Sequence, residues 1–145
     1  MAIQASIRSQ QTVKVNVTAP DGTNTLYITT GLADFNLVVS LDPPGPASQQ
    51  GTFAVLLPEP TLAAAQFRRA IATASLASLW YQATDPAQAT GLEWSLSNVE
   101  ADFDDESGRI ELRFDVWLSV QGSGTSGTIA GRLSVGFQAT TLAAI

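Results

Sequence analysis

The chain of 145 residues has 13 acidic and 7 basic side chains, which gives a formal charge of −6, and it has neither cysteine nor histidine. Disulfides, thiolate nucleophiles, thiolate zinc sites and histidine-dependent catalytic triads are therefore excluded. Only 14% of the residues are charged, against roughly 25% in an average domain. The length fits a single β-rich domain over residues 1–145.

The composition also argues against nucleic acid and membrane partners. One lysine (Lys14) and six arginines are too few to bind a phosphate backbone, and no phosphate-cradling glycine motif occurs. Residues 1–6 lack a basic segment followed by an apolar one, and no run approaches the roughly 18 apolar residues of a membrane span. We therefore expect no membrane insertion and no cleavable signal peptide, with the protein in the cytoplasm or assembled into a larger particle.

The first 57 residues read as strands. Val13, Val15 and Val17 alternate with polar residues, which predicts a strand with one buried face. Turn-forming residues 19–24 follow, and the apolar alternation of Leu26 and Ile28 completes a predicted hairpin. Three further segments are predicted in order: an alternating strand at 35–41, an exposed proline-rich loop at 42–51 and a short strand at 53–57.

The middle of the chain has helical character. An alanine-rich run predicts a helix of about four turns that begins at Pro60 or Thr61 and ends near Ser75. One apolar stripe at helical spacing supports it, formed by Phe67, Ala70, Ile71 and Ala74. A break or a short extended piece follows before residues 85–86.

The last third predicts long strands. Alternation in Leu92, Trp94 and Leu96 changes parity afterwards, which indicates a β-bulge near Ser97 and Asn98. A turn at 104–108, an unbroken alternating strand at 110–120, a loop at 122–127 and a strand at 129–137 come next. These segments predict a C-terminal three-stranded antiparallel meander.

The predicted fold is therefore mainly β (α+β). We expect an antiparallel β-sandwich or flattened barrel of about seven or eight strands, with one mid-chain helix and the long meander. This general plan is similar to that of protomers of phage-type tubes and shells, a likeness of plan that no motif carries.

The acidic segment at 102–108 is the best metal candidate. Asp102, Asp104 and Glu106 have the spacing of calcium ligands, but the glycine falls one place late and Arg113 stands where a bidentate glutamate is needed. A solvated hairpin turn is the favoured interpretation, and we expect no metal and no cofactor.

Carboxylate-only catalysis is the least favoured function. Glu93, Glu100, Glu111 and Asp115 lie on strands expected to pair, yet Glu111 and Asp115 share a face with Arg113, which is typical of a surface charge ladder. We therefore expect no enzyme and no catalytic residue, with a carboxylate-only hydrolase as a distant third hypothesis.

The leading hypothesis is a non-enzymatic structural protomer that forms a homo-oligomer, ring, shell or filament. Sparse charge and long strands without lysine or proline favour self-association, although genomic bias would produce a similar composition. Trp117 falls on the polar face of its strand, which indicates either a contact surface or a face covered by the helix. The expected contact residues are Trp117 and the loop of Gly122, Ser123, Gly124, Thr125, Ser126 and Gly127. Trp117→Lys should weaken assembly without unfolding the chain.

The alternative is a small-molecule carrier. An eight-stranded barrel can enclose one apolar ligand. The lining would then consist of Leu112, Phe114, Leu133, Phe137 and Trp94.

Overall fold

Every regular element among the described residues is a β-strand. The structure is a computed structural model that describes residues 3–41, 45–83, 89–122 and 126–145. The strands are β1 (Ile3–Gln4), β2 (Ser6–Ala19), β3 (Gly22–Ser40), β4 (Ala47–Thr61), β5 (Phe67–Ala83), β6 (Ala89–Asp104), β7 (Arg109–Gly122) and β8 (Thr128–Ala144). The prediction of a mainly β protein is confirmed.

The strands form two four-stranded sheets. Sheet I has the order β1-β4-β7-β6 and sheet II the order β2-β3-β8-β5. All pairs are antiparallel except the two-residue parallel contact of β1 with β4. The strand order is nested along the chain: β3 pairs with β8, and β4, the strand after β3, pairs with β7, the strand before β8. The sheets pack as a sandwich and do not close into a barrel, so the barrel form of the prediction is wrong.

The core lies between the sheets and is centred on three phenylalanines. Phe35 of sheet II lies with its ring centroid 4.2 Å from that of Phe53 and 5.4 Å from that of Phe114, both in sheet I. Every second residue of β3, β4, β7 and β8 points into this layer, because side chains alternate between the two faces of a strand. The buried residues therefore determine which side chains of these strands point inward and which point outward.

A hairpin and a β-bulge that the sequence predicted are confirmed. β2 and β3 form a hairpin whose turn ends at Gly22, with φ 134°, a conformation that favours glycine. In β6 the register shifts between Ser97 and Glu100, and Asn98 takes φ 50°, so the bulge lies where the parity change predicted it. The predicted loop at 42–51 is shorter than expected, since β4 begins at Ala47; residues 42–44 lie outside the described residues.

The predicted mid-chain helix is wrong. Most of that segment is β5, which pairs with β8 from Phe67 opposite Ala143 to Ala83 opposite Ile129. Register shifts at residues 68 and 77 change the parity of β5 twice, which disguised its two-residue period as a helical one. Ile71, expected on the buried helical stripe, points outward and is exposed, whereas Ala70 and Ala74 pack against the core. Pairing along the whole of β8 outweighs the helical preference of alanine.

The predicted C-terminal meander is also wrong. β6 and β7 pair as expected, but β7 belongs to sheet I and β8 to sheet II. β7 ends at Gly122 in sheet I, and β8, which begins at Thr128, lies between β3 and β5 in sheet II. Alternation in β8 showed that it has one buried face, but not which sheet provides its neighbours.

Replacement of a central ring should destabilise the sandwich. Phe114→Ala removes a fully buried ring that contacts both sheets, so we expect the free energy of unfolding to fall by about 3–5 kcal/mol. Val38→Ala removes an exposed side chain from β3 and should change it by less than about 0.5 kcal/mol. Guanidinium unfolding curves measure both, and equal costs for the two variants would contradict this description of the core.

Candidate functional site: the outer faces of the two sheets

The outer face of sheet II carries an uncovered apolar patch. Val13 lies opposite Ile28 and Val15 opposite Leu26, and Leu26 is in turn opposite Leu142 of β8. The relative exposure is 49% for Val13 and 43% for Val15. We call this surface the valine patch; it consists of Val13, Val15, Val17, Leu26, Ile28, Ile71 and Leu142.

The valine patch corrects the expectation that these valines are buried. The polar residues that alternate with these valines point to the inner side, where two of them bond to β3: the Thr12 and Thr29 hydroxyl oxygens lie 3.1 Å apart, and Thr25 Oγ1 donates to Asn16 Oδ1 at 3.2 Å. Since side chains alternate, the valines must point outward. The alternation in the sequence showed that one face of β2 is apolar and the other polar. The hydrogen bonds of the polar residues determine that the polar face is the one directed toward the inside of the sandwich.

A charged cluster joins three strands on the same face of sheet II. Arg8 binds Asp34 with two donors, Nε to Oδ2 at 2.9 Å and Nη2 to Oδ1 at 2.6 Å. Ser134 Oγ donates to Oδ1 at 2.6 Å and Arg132 Nη2 to Oδ2 at 3.2 Å. Both oxygens of this nearly buried carboxylate are therefore satisfied by β2 and β8.

This cluster determines the charge state of Asp34. The hydrogen bonds from the Arg8 guanidinium lower the pKa of Asp34 from 3.8 to about 2, with Ser134 and Arg132 adding to the shift and burial opposing it. The carboxylate neutralises one of two arginines, so the cluster keeps one net positive charge.

An exposed tryptophan stands beside the cluster. Trp80 of β5 lies opposite Arg132 of β8 and is 61% exposed. Trp80, Arg8, Arg132, Ser78 and Ser134 line an open depression of about 440 Å³. Arginine and tryptophan are among the residues that contribute most to binding at protein interfaces. The depression therefore has the chemistry of a contact surface.

The outer face of sheet I is different in charge. Among the described residues of its regular strand rows it carries six carboxylates and two guanidiniums. The carboxylates are Glu93, Glu100, Asp102, Asp104, Glu111 and Asp115, and the guanidiniums are Arg109 and Arg113. We call this surface the acidic face.

The outer face of sheet II has the opposite balance. In the described part of the chain, its strand rows carry Arg69 and Arg132, and Arg8 at the bulge of β2 bonds to Asp34, the one carboxylate of these rows. We call it the basic face, and it includes the valine patch. In a chain with nearly twice as many acidic as basic residues, this separation of charge onto opposite faces is a marked asymmetry.

Trp117 lies on the acidic face. It is opposite Gln50 of β4 and Ser95 of β6 and is partly exposed. The alternative that a helix covers it is removed, because the segment predicted as helical forms β5 in the other sheet. Two residues before Trp117 in the chain, the Asp115 carboxylate accepts hydrogen bonds from Thr52 Oγ1 at 2.6 Å and from Asn98 Nδ2 at 2.7 Å. These bonds lower the pKa of Asp115.

The expected contact loop is described only in part. Gly122 ends β7, Ser126 is exposed and the Gly127 carbonyl accepts from the Leu41 amide; Ser123, Gly124 and Thr125 lie outside the described residues. Trp117 precedes Gly122 by five residues of extended chain, or about 17 Å. Among the described residues, Gly122 is therefore separated from Trp117 along β7.

The acidic segment forms the β6–β7 turn, as the favoured interpretation predicted. Asp104 Oδ2 accepts from the Ser107 amide at 3.1 Å and Asp102 Oδ1 from the Phe103 amide at 2.8 Å. Glu111 and Arg113 form an ion pair within β7, and not the cross-strand ladder that was expected. No cluster of three potential metal ligands occurs among the described residues.

The residues named for a carrier cavity are in two different places. Leu112, Phe114, Leu133 and Phe137 are buried in the core, and Trp94 is 44% exposed on β6. Phe114 contacts the two other core phenylalanines, Phe35 and Phe53.

The sequence analysis missed Arg8, Asp34 and Arg132. These residues are separated by 26 and 98 positions, and each alone resembles an ordinary polar residue on a strand. The outward direction of Ile71 could not be predicted either, because the bulges of β5 interrupt its two-residue alternation. No local signal identifies these residues, because the sheet order brings them together.

Stability should fall in acid because of Asp34. Since its folded-state pKa lies below the usual value, the stabilisation is complete above about pH 5 and is lost as the pH falls from about 4 through about 2. The effect is at most about 2 kcal/mol, and solvent reduces it because both arginines are about half exposed. Unfolding curves between pH 6 and pH 2 should show a smaller acid loss for Asp34→Asn than for the unchanged chain. Asp21→Asn, in the exposed β2–β3 turn, is the control, and an identical effect of both variants would contradict this role of Asp34.

Comparison with known proteins adds no relative. No protein-family model, no curated protein and no solved structure matches this chain. The described residues contain no helix that is long and apolar enough to cross a membrane. What the protein does is therefore inferred from the chemistry of its two outer faces.

Proposed function

We propose that this protein is a non-enzymatic structural protomer that assembles with copies of itself into a symmetric oligomer, ring, shell or filament. The observation that carries the proposal is the valine patch, which exposes aliphatic side chains of all four strands of sheet II. Large exposed apolar patches on soluble proteins mark interaction sites.

Burial of the valine patch contributes favourable free energy to association. Burial of an aliphatic side chain stabilises by about 1.5–3 kcal/mol when the whole side chain leaves water. Val13, Val15 and Ile71 are each about half exposed, so roughly half of that remains to be gained at each position. Several such side chains on one face give a hydrophobic contribution large enough to offset part of the entropy lost on association.

The edges of the sheets support the same proposal. β2 is an edge strand of 14 residues, without proline and with Lys14 as its one lysine. Natural edge strands are usually protected by charge, proline or shortness. β2 has only Arg8 and Lys14 as charges and is long, so it favours contact with another chain over isolation.

The first test is the mass of the unchanged protein in solution. Size-exclusion chromatography with light scattering over a hundredfold range of concentration, followed by negative-stain microscopy of the main peak, should show a discrete oligomer or fibre. A 15.2 kDa monomer at every concentration would overturn the proposal.

A substitution in the valine patch should weaken assembly. Val15→Lys places a charge in the apolar row of β2, and we expect it to require about tenfold more protein for the same oligomer fraction, or about 1.4 kcal/mol. Thr18→Lys introduces the same residue on the same strand at an exposed position on the opposite side, and it should assemble as the unchanged chain does. Light scattering measures both, with circular dichroism to confirm the fold. Equal behaviour of the two variants would show that the patch is not the contact.

A further inference from the structure

We infer that the copies associate head to tail, with the basic face of one copy docked on the acidic face of the next. This inference rests on the proposed function and specifies its interface. The occupant of each face is therefore a second copy of this chain, presented through its opposite sheet.

Charge complementarity is the first argument. In the described strand rows, the acidic face has four more carboxylates than guanidiniums. The rows of the basic face together with Arg8 at the β2 bulge have two more guanidiniums than carboxylates. Complementary potentials favour one docking orientation and suppress others. A two-fold contact through either face would oppose like charges, because it brings the same surface of two copies together.

Each face also has an aromatic residue suited to an interface. Trp80 and Trp117 lie on the basic and acidic faces, respectively, and both are on regular strands whose register fixes their positions. Tryptophan is enriched among the residues that dominate binding energy. On the basic face Trp80 lies with Arg8 and Arg132, at the end of sheet II away from the valine patch. On the acidic face Trp117 lies between Gln50 and Ser95.

The faces are large enough for a stable contact. The three long strands of sheet I, at a spacing of about 4.8 Å and with the 14 residues of β7 at about 3.4 Å each, give a flat area of about 700 Å². Sheet II has four long strands and exceeds this area. A standard interface buries about 800 Å² on each partner, so the smaller face is close to the required size.

Head-to-tail contact has a structural consequence for the assembly. Each copy uses two different surfaces, so a copy that docks through one face leaves its other face free for a further copy. Such heterologous contacts close into rings or continue as filaments. The charge asymmetry therefore favours the ring and filament forms of the proposed oligomer.

Reversal of charge on one face at a time tests the inference. The first variant combines Arg69→Glu with Gln138→Glu on the basic face, at exposed positions outside the Asp34 cluster. The second combines Glu93→Arg, Glu100→Arg and Asp102→Arg on the acidic face, at exposed positions of β6. Each variant alone should need at least about tenfold more protein to assemble, and an equimolar mixture should recover assembly, since the reversed faces complement each other.

The controls separate this inference from the proposed function. Arg68→Glu makes the same charge change as Arg69→Glu at the bulge of β5, where Arg68 Nη1 donates to the Ala65 carbonyl, and it should assemble normally. Two further results are expected from a contact through both faces. Trp117→Lys, as a single substitution, should weaken assembly. Higher salt should weaken the assembly of the unchanged protein, because salt screens the attraction between the two faces.

Three outcomes would overturn the inference. If the unchanged protein assembles and the first variant alone does so equally well, the basic face is not the contact, although the proposed function stands. If the second variant alone assembles normally while the first does not, the contact is two-fold through the basic face. A monomeric unchanged protein overturns the proposed function as well.

Discussion

The contact of Phe35 with Phe53 and Phe114 joins the two sheets, and the orientation of the other strand residues depends on it. Because β3 is extended, the burial of Phe35 requires its neighbour Asp34 to point outward. The same strand position therefore supplies the hydrophobic contact between the sheets and the carboxylate that organises the outer face. Core packing and surface chemistry are coupled through this single pair of residues.

On each outer face, the side-chain hydrogen bonds of one carboxylate join three strands. Asp34 binds β2 and β8 from β3, and Asp115 binds β4 and β6 from β7. Such bonds fix the neighbouring side chains before any partner arrives, and a surface ordered in advance loses less entropy on binding. The two faces differ in charge but share this method of support.

Features that depend on the alternation of neighbouring residues could be predicted from the sequence. The β2–β3 hairpin and the bulge at Ser97–Asn98 follow from a two-residue period and its change of parity. β5 was missed because the bulges at residues 68 and 77 broke that period within an alanine-rich segment. A physical account of β5 needs its partner β8, which lies far away in the chain.

The candidate surfaces were predictable only in outline. Trp117 was identified because it is aromatic in a polar row, and its place on an uncovered face agrees with one of the two interpretations. The basic face was out of reach, because it depends on which strands neighbour β3 and on the outward parity of Val13 and Ile71. Sheet order is a tertiary property that alternation alone does not determine.

The nested order of strands has a consequence for synthesis in the cell. β3 remains without its neighbour β8 until about ninety more residues are translated, which takes roughly 5–20 s at typical ribosome speeds. During that interval the hairpin of β2 and β3 presents both an unpaired edge and its outward valines on the same nascent chain. On polysomes, where many copies emerge close together, the surface proposed for assembly is thus available before sheet II is complete, and premature association competes with folding at this stage.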